Sequence, residues 1–229
     1  MNKDKTIVLC MLWGNWGGQF GLEYVLRLRN MVARHTNIPH DFVCMTDREM
    51  PENEHGIQWE KIPEFVLRWP RNIPKFYMHK YKAEWHGRQI MFFDLDTVIV
   101  NNIDDFMSYR GLFATLSPFN AKNINKSTPG GVMSFTHGYT QFMWEKMHAN
   151  SNYWIRMSQG GKERIVMNQM EGRYKWDRWQ DLFPGQLVSF KKHVRRHPTF
   201  PANARIIAFH GNPRPHEILD NKIVKRYWL

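Results

Sequence analysis

Residues 90–100 read IMFFDLDTVIV, an apolar run that carries two carboxylates, Asp94 and Asp96, on alternate positions. In an extended chain, side chains two apart share a face. Asp94 and Asp96 are therefore expected side by side, with Phe93, Leu95 and Thr97 on the opposite face. Two like charges that close repel, so one takes a proton or both share a cation. Hard divalent cations prefer carboxylate oxygens. The competing reading ends the strand at Phe93 and lets the aspartates begin a solvated turn.

Working outward, residues 6–13 (TIVLCMLW) read as a buried strand followed by the GNWGG loop. Leu22 to Arg34 has helical periodicity, and residues 40–47 (HDFVCMTD) form a second strand ending in a polar turn. Met50 to Pro74 is punctuated by proline, with IQWEKI a short strand. Lys75 to Trp85 reads as a helix leading into a strand over Gln89 to Val100. GLFATLS and GVMSFTH read as further strands, Tyr139–Ala149 and Lys162–Met170 as helices, and ARIIAF as a last strand. Strands alternating with helices, then antiparallel pieces, predict an α/β fold with a central mixed sheet flanked by helices. No repeat, low-complexity segment or linker divides residues 1–229, which are expected to form a single domain.

The chain has 229 residues, 42% hydrophobic and 23% charged, as in ordinary globular proteins. Its 32 Lys and Arg against 21 Asp and Glu give a net charge of +11, which suits an anionic partner. The same surplus allows attraction to an anionic membrane surface. Cys10 and Cys44 fall in buried strands and are expected to be reduced, which suits a cytoplasmic location. The apolar run near the N-terminus is short for a signal peptide, and no stretch approaches a membrane span.

Ligands of doubly wound sheets bind at the carboxyl ends of strands. Trp13–Gly14, Thr46–Asp47 and Asp94–Asp96 occupy such ends. GNWGG matches neither phosphate-binding glycine pattern and reads as a tight turn. The strand ARIIAF runs into His210, Gly211 and a proline-locked loop bearing Arg214. Imidazole suits a metal, and guanidinium suits a diphosphate. A phosphatase of the haloacid-dehalogenase type also places two aspartates at a strand end, but needs threonine four residues after the first. Here that position is Val98, with Thr97 one residue early. Lys191, Lys192, Arg195 and Arg196 are the strongest feature for nucleic-acid binding. The aromatics, however, fall within apolar segments, so nucleic acid is not the expected partner.

FFDLDTVIVNNIDDF (residues 92–106), the GG-x-E helix start (residues 160–163) and ARIIAFHGNPRPHE (residues 204–217) together resemble GT-A-fold glycosyltransferases. The glycogenin and lipopolysaccharide-galactosyltransferase type is nearest in pattern. The resemblance implies a Rossmann-like domain with a nucleotide-sugar half over about residues 1–110 and an acceptor half over about residues 111–229. It implies transfer of a sugar from a nucleotide-diphosphate donor, a uridine diphosphate sugar, to a glycan or glycoconjugate, with retention of configuration. Asp94, Asp96 and His210 match a manganese or magnesium site, although the family's histidine stands two residues earlier, at Ala208. Arg214 takes the place of a lysine that contacts the diphosphate, and Lys80 that of a lysine before the D-x-D strand. The implied donor set is Leu12, Trp13, Gly14, Asp47, Lys80, Asp94, Leu95, Asp96, Gly130, Gly131, Gly211 and Arg214. Arg214 and Glu163 are the implied catalytic residues. Two departures lie on the acceptor side: Lys162 stands where the family has aspartate, and Pro129 where it has asparagine. A protein that binds nucleotide sugar without transferring it is the further alternative.

Overall fold

β1 (Thr6–Leu12) is apolar throughout and buried at every position. Such a run belongs between two covered faces, as in the interior of a parallel sheet. In the computed structural model, which describes residues 5–14, 21–50, 54–120, 122, 126–172, 174, 176–195 and 201–228, β1 lies near the middle of a seven-stranded sheet. Residues 15–18 of the GNWGG loop and Arg196 lie outside the described residues.

The remaining elements follow in chain order: α1 (Leu22–His35), β2 (His40–Thr46), β3 (Ile57–Lys61), α2 (Glu64–Leu67), β4 (Gln89–Phe93), β5 (Val98–Ile99), α3 (Asp104–Met107), β6 (Phe113–Thr115) and β7 (Val132–Thr136). Then come α4 (Gln141–Ala149), α5 (Ser151–Met157), α6 (Glu163–Glu171), β8 (Asp177–Arg178), α7 (Trp179–Leu182), β9 (Leu187–Ser189) and β10 (Ile206–Ala208). The large sheet runs β3-β2-β1-β4-β7-β6-β8, and a three-stranded sheet runs β5-β10-β9. β1 pairs in parallel with β2 and β4, while β7 is antiparallel to β4. This is the expected α/β architecture with a mixed central sheet.

Alternation in the central strands feeds two cores. Val8, Cys10 and Leu12 enter one, with Met91, Phe93 and Leu95. Ile7, Leu9 and Met11 enter the other, with Ile90 and Phe92. α1 closes the first core with Tyr24, Val25, Leu28, Met31 and Val32, the stripe of an amphipathic helix. Cys10 and Cys44 face each other in register across β1 and β2, both buried and free.

The long strand expected over Gln89 to Val100 is instead two strands in two sheets. β4 ends at Phe93, opposite Val132 of β7. The Asp94 amide then donates to Gly131 O (2.8 Å), and the Thr97 amide turns back to Asp94 O (3.0 Å). Val98 and Ile99 resume as β5 against β10. Aspartate disfavours strands and favours turns, and here that local preference outweighs the apolar pattern around it. The helix expected over Lys75 to Trp85 is also corrected. Two 3-10 segments, Ile73–His79 and Ala83–Trp85, replace it, and the chain extends at Lys80 between them. The short elements α2, α3, α5, α7, β8 and β9 lie outside the sequence expectations. β8 and β9 are too short to show a period.

Candidate functional site

Two cavities open where β1, β4 and β10 end. The smaller, about 100 Å³, is lined by Leu12, Trp13, Asn72, Lys75, Leu95 and Arg214, among others. The larger, about 740 Å³, receives Asp94, Asp96, Gly130, Gly131, Glu163, His210, Gly211 and Arg214 of the expected set. Asp94, Asn72 and Arg214 border both. The aspartates therefore do converge, through the turn that joins the two sheets rather than through strand alternation.

Asp94 is held from two sides. Its carboxylate accepts from Lys75 Nζ at 2.5 Å. On the other side it lies against Gly131, where a Cβ would come within 3.3 Å of Asp94 Oδ2. Lys75 projects from the segment Ile73–His79, whose residues are all buried. Its ammonium also faces Glu163 Oε1 at 3.8 Å. Glu163 is the first residue of α6 and is buried, and Asn72 Nδ2 donates to its Oε2 at 3.0 Å. Burial alone would pull the Lys75 ammonium down. The Asp94 and Glu163 carboxylates more than reverse this, so it titrates above the ordinary lysine range and carries its charge. Burial pushes the Asp94 carboxyl up, with Lys75 acting against it.

Asp96 is buried and pairs with the guanidinium of Arg214. Arg214 precedes a 3-10 turn, Pro215–Ile218, whose first position holds proline. The Glu217 amide donates to Arg214 O at 3.1 Å, and the Glu217 carboxylate accepts from the Arg214 amide at 2.5 Å. His216, two residues on, hydrogen-bonds the Tyr24 hydroxyl of α1. The loop that carries Arg214 is thus tied to the central sheet's flanking helix.

His210 stacks on Phe119, with ring centroids 5.6 Å apart, and its Nε2 meets Ser189 Oγ at 2.6 Å. Burial, then Lys191, Lys192 and His193, hold the imidazole below its ordinary value. A divalent metal was expected on Asp94, Asp96 and His210. As placed, these three do not fit one: Lys75, Arg214 and Ser189 already engage them. Among the described residues no three acidic, histidine or cysteine side chains gather as a metal group. A cation would have to displace both Lys75 and Arg214.

Three expected donor residues lie elsewhere. Lys80 is exposed, its ammonium 5.6 Å from the Tyr77 ring centroid, and borders neither cavity. Gly14 and Asp47 bond each other, Gly14 N donating to Asp47 Oδ2 at 2.8 Å, and tie the loops after β1 and β2. Lys75, which was not among the expected residues, is the lysine of this segment that reaches Asp94 and lines the smaller cavity. Its signal in the sequence is a lone cation within the apolar segment IPKFYMH (residues 73–79), because a buried lysine needs a partner. Asn72 gave no such signal.

No protein-family model matches the sequence, and no curated protein does so. Solved structures do. The galactosyltransferase LgtC, crystallised with donor and acceptor sugar analogs, superimposes with a TM-score of 0.63 at 11% identity, over 96% of this chain and 93% of that one. The glycosyltransferase GlyE of Streptococcus pneumoniae TIGR4 superimposes at 0.57 and 12% identity, and its apo form at 0.57 and 10%. This chain spans 56% of GlyE. At such identities the likeness establishes the fold: the chain is built like these solved glycosyltransferases, in a GT-A-like arrangement.

Proposed function

We propose that the protein transfers a sugar from a nucleotide-diphosphate donor, a uridine diphosphate sugar, to a glycan or glycoconjugate hydroxyl, with retention of configuration. The observation that carries this reading is the meeting of Lys75, Asp94, Asp96, Glu163 and Arg214 at the mouth of two adjoining cavities. In such a transfer the bond from the sugar's anomeric carbon to the diphosphate breaks, and the acceptor oxygen takes its place. Negative charge develops on the leaving diphosphate, and positive charge on the anomeric carbon. Arg214 offers the diphosphate a planar pair of donors. Lys75 adds a fixed positive charge in a buried position, where it counts for more than in water. Glu163, held by Asn72 and Lys75, supplies the carboxylate that faces the sugar's developing charge or accepts the acceptor's proton. The GT-A-like neighbours, one solved with donor and acceptor analogs, support this reading.

The test is calorimetric titration with uridine diphosphate and its glucose and galactose esters, with chelator and then with manganese, alongside slow donor hydrolysis followed by mass spectrometry. Binding that is lost in Arg214→Ala, together with hydrolysis that is lost in Glu163→Gln, supports the reading. Folded protein that binds none of these donors, in either condition, overturns it. Manganese strengthening of wild-type binding, absent in Asp96→Asn, would mean that the carboxylates exchange their cation partners for a metal. Binding equal in chelator would leave Lys75 and Arg214 as the charges on the diphosphate.

A further inference from the structure

On the donor side of the site every charge has a partner, Lys75 shared by Asp94 and Glu163, and Arg214 against Asp96. Four further cations line the large cavity without such partners. Arg71 adjoins Asn72, Lys162 and Arg164 flank Glu163, and Lys192 lies in the segment Phe190–Val194 after β9. Among the described residues, none of these four side chains makes an ion pair or a side-chain hydrogen bond.

We propose that these four cations bind an acidic group, a phosphate or a carboxylate, on the acceptor. The inference rests on the transfer reading above and names its acceptor class. The segments that carry Arg71, Lys162 and Arg164 are held in place by backbone contacts. Asn72 N donates to Gly161 O at 3.2 Å, and Thr128 N to Arg164 O at 2.8 Å. Gly161 has φ +88, and a Cβ there would meet Pro70 O at 2.7 Å, so the turn before α6 seats directly on the Pro70–Arg71 backbone. Arg71 itself adopts φ 48, a conformation that long side chains rarely take. Such outliers persist where surrounding structure enforces them, and they cluster at ligand sites. At Lys162 the resemblance has an aspartate, so this chain reverses the charge at the acceptor edge.

Cations lining a concavity with low-dielectric walls reinforce each other's field and draw in anions. Six cations against three carboxylates around the two cavities leave a surplus of positive charge. The two charges of a donor diphosphate reduce this surplus but do not remove it, so the four remaining cations stay partly uncompensated when a donor is bound. A neutral glycan would leave them so. A phosphate or carboxylate near the receiving hydroxyl would pair with them, the arginines binding bidentately.

The probes are glucose, glucose 6-phosphate and glucuronic acid, titrated calorimetrically into wild-type protein saturated with uridine diphosphate. Saturation keeps the probes off the diphosphate positions. At least about tenfold tighter binding of an acidic sugar than of glucose is expected, and it should weaken with salt. Preference for glucose 6-phosphate alone assigns phosphate, and preference for glucuronic acid alone assigns carboxylate. The double variant Lys162→Gln with Arg164→Gln should lose the preference while keeping its melting temperature and uridine diphosphate affinity. If that variant is unstable, Arg71→Gln with Lys192→Gln provides the same comparison. No difference among the three sugars, or a preference that survives in both double variants, overturns the proposal. Wild-type protein that ignores uridine diphosphate yet discriminates the sugars would retire the transfer reading and keep the cationic site.

Discussion

Lys75 and Asp94 form an ion pair at 2.5 Å between a buried turn and the end of the central strand β4. The lysine side chain is only 7% exposed and its partner 32%. Removing one member strands the other. Lys75→Met should therefore destabilise the protein by about 1–3 kcal/mol, the usual cost of a broken buried pair reduced for the partial exposure of Asp94. Adding Asp94→Asn should recover much of that loss in urea unfolding while leaving nucleotide binding abolished. Additive losses across this cycle would show that the two residues are not coupled.

The seat between Gly161 and Pro70 admits no side chain. Gly161→Ala places a methyl 2.7 Å from a carbonyl oxygen, at φ +88. We expect a loss of about 1–3 kcal/mol from the clash and the left-handed backbone. Gly160, at φ +84, has nothing within 4 Å of its Cβ direction. Its alanine variant should lose about 1 kcal/mol, the backbone cost alone. Thermal unfolding of the two variants separates steric from conformational strain.

Acid should weaken the fold through two histidines. His79 and His137 are buried, and desolvation holds them at about 3 and about 4, from an ordinary 6.5. His79 Nδ1 bonds Thr140 Oγ1 at 2.9 Å, and His137 Nε2 accepts from the Lys82 amide at 2.9 Å. The unfolded chain binds protons at both sites as pH falls through 6.5, while the folded chain resists until about 4 and then about 3. Their contribution is therefore complete above pH 6.5 and is lost between there and about pH 3. The total is on the order of a few kcal/mol. Urea unfolding across that range should show the decline, and His79→Gln should flatten it. An unchanged midpoint from pH 7 to pH 4 would contradict the assignment.

Tyr24→Phe removes the hydroxyl that ties His216, and with it the Arg214 loop, to α1. Burial raises this phenol to about 12, so it stays protonated. The variant should lose about 1 kcal/mol in thermal unfolding, the usual value of one hydrogen bond. It should also bind uridine diphosphate several-fold more weakly, because Arg214 is less well held. Weakened binding without any thermal change would place the loop's effect in orientation alone.

The central sheet was legible because its strands are long, apolar and covered on both faces, as in TIVLCML at residues 6–12. The break at Phe93 was not, because Val98 to Val100 are as apolar as the strand before them. Only the pairing with β10, more than a hundred residues later, shows where they belong. Asp94, Asp96, Glu163, His210 and Arg214 meet at one cavity because each lies at or near an element's end, where the sequence marks a polar change. The sequence could not say which cation each carboxylate would face. Lys75 and Lys80 differ by five positions in one segment, and only the 3-10 geometry of Ile73–His79 turns the first inward and leaves the second in solvent.

The paired and the unpaired charges around the cavities differ in how freely they can change over generations. Among the paired charges, Asp94 and Glu163 share Lys75 and Asp96 faces Arg214, so loss of either cation leaves an uncompensated charge and lowers stability. Change there requires paired substitutions. Arg71, Lys162, Arg164 and Lys192 line the large cavity without partners to abandon, and substitutions at such positions usually cost little. A descendant of this protein could therefore take up a new acceptor in single steps while its donor preference stays fixed.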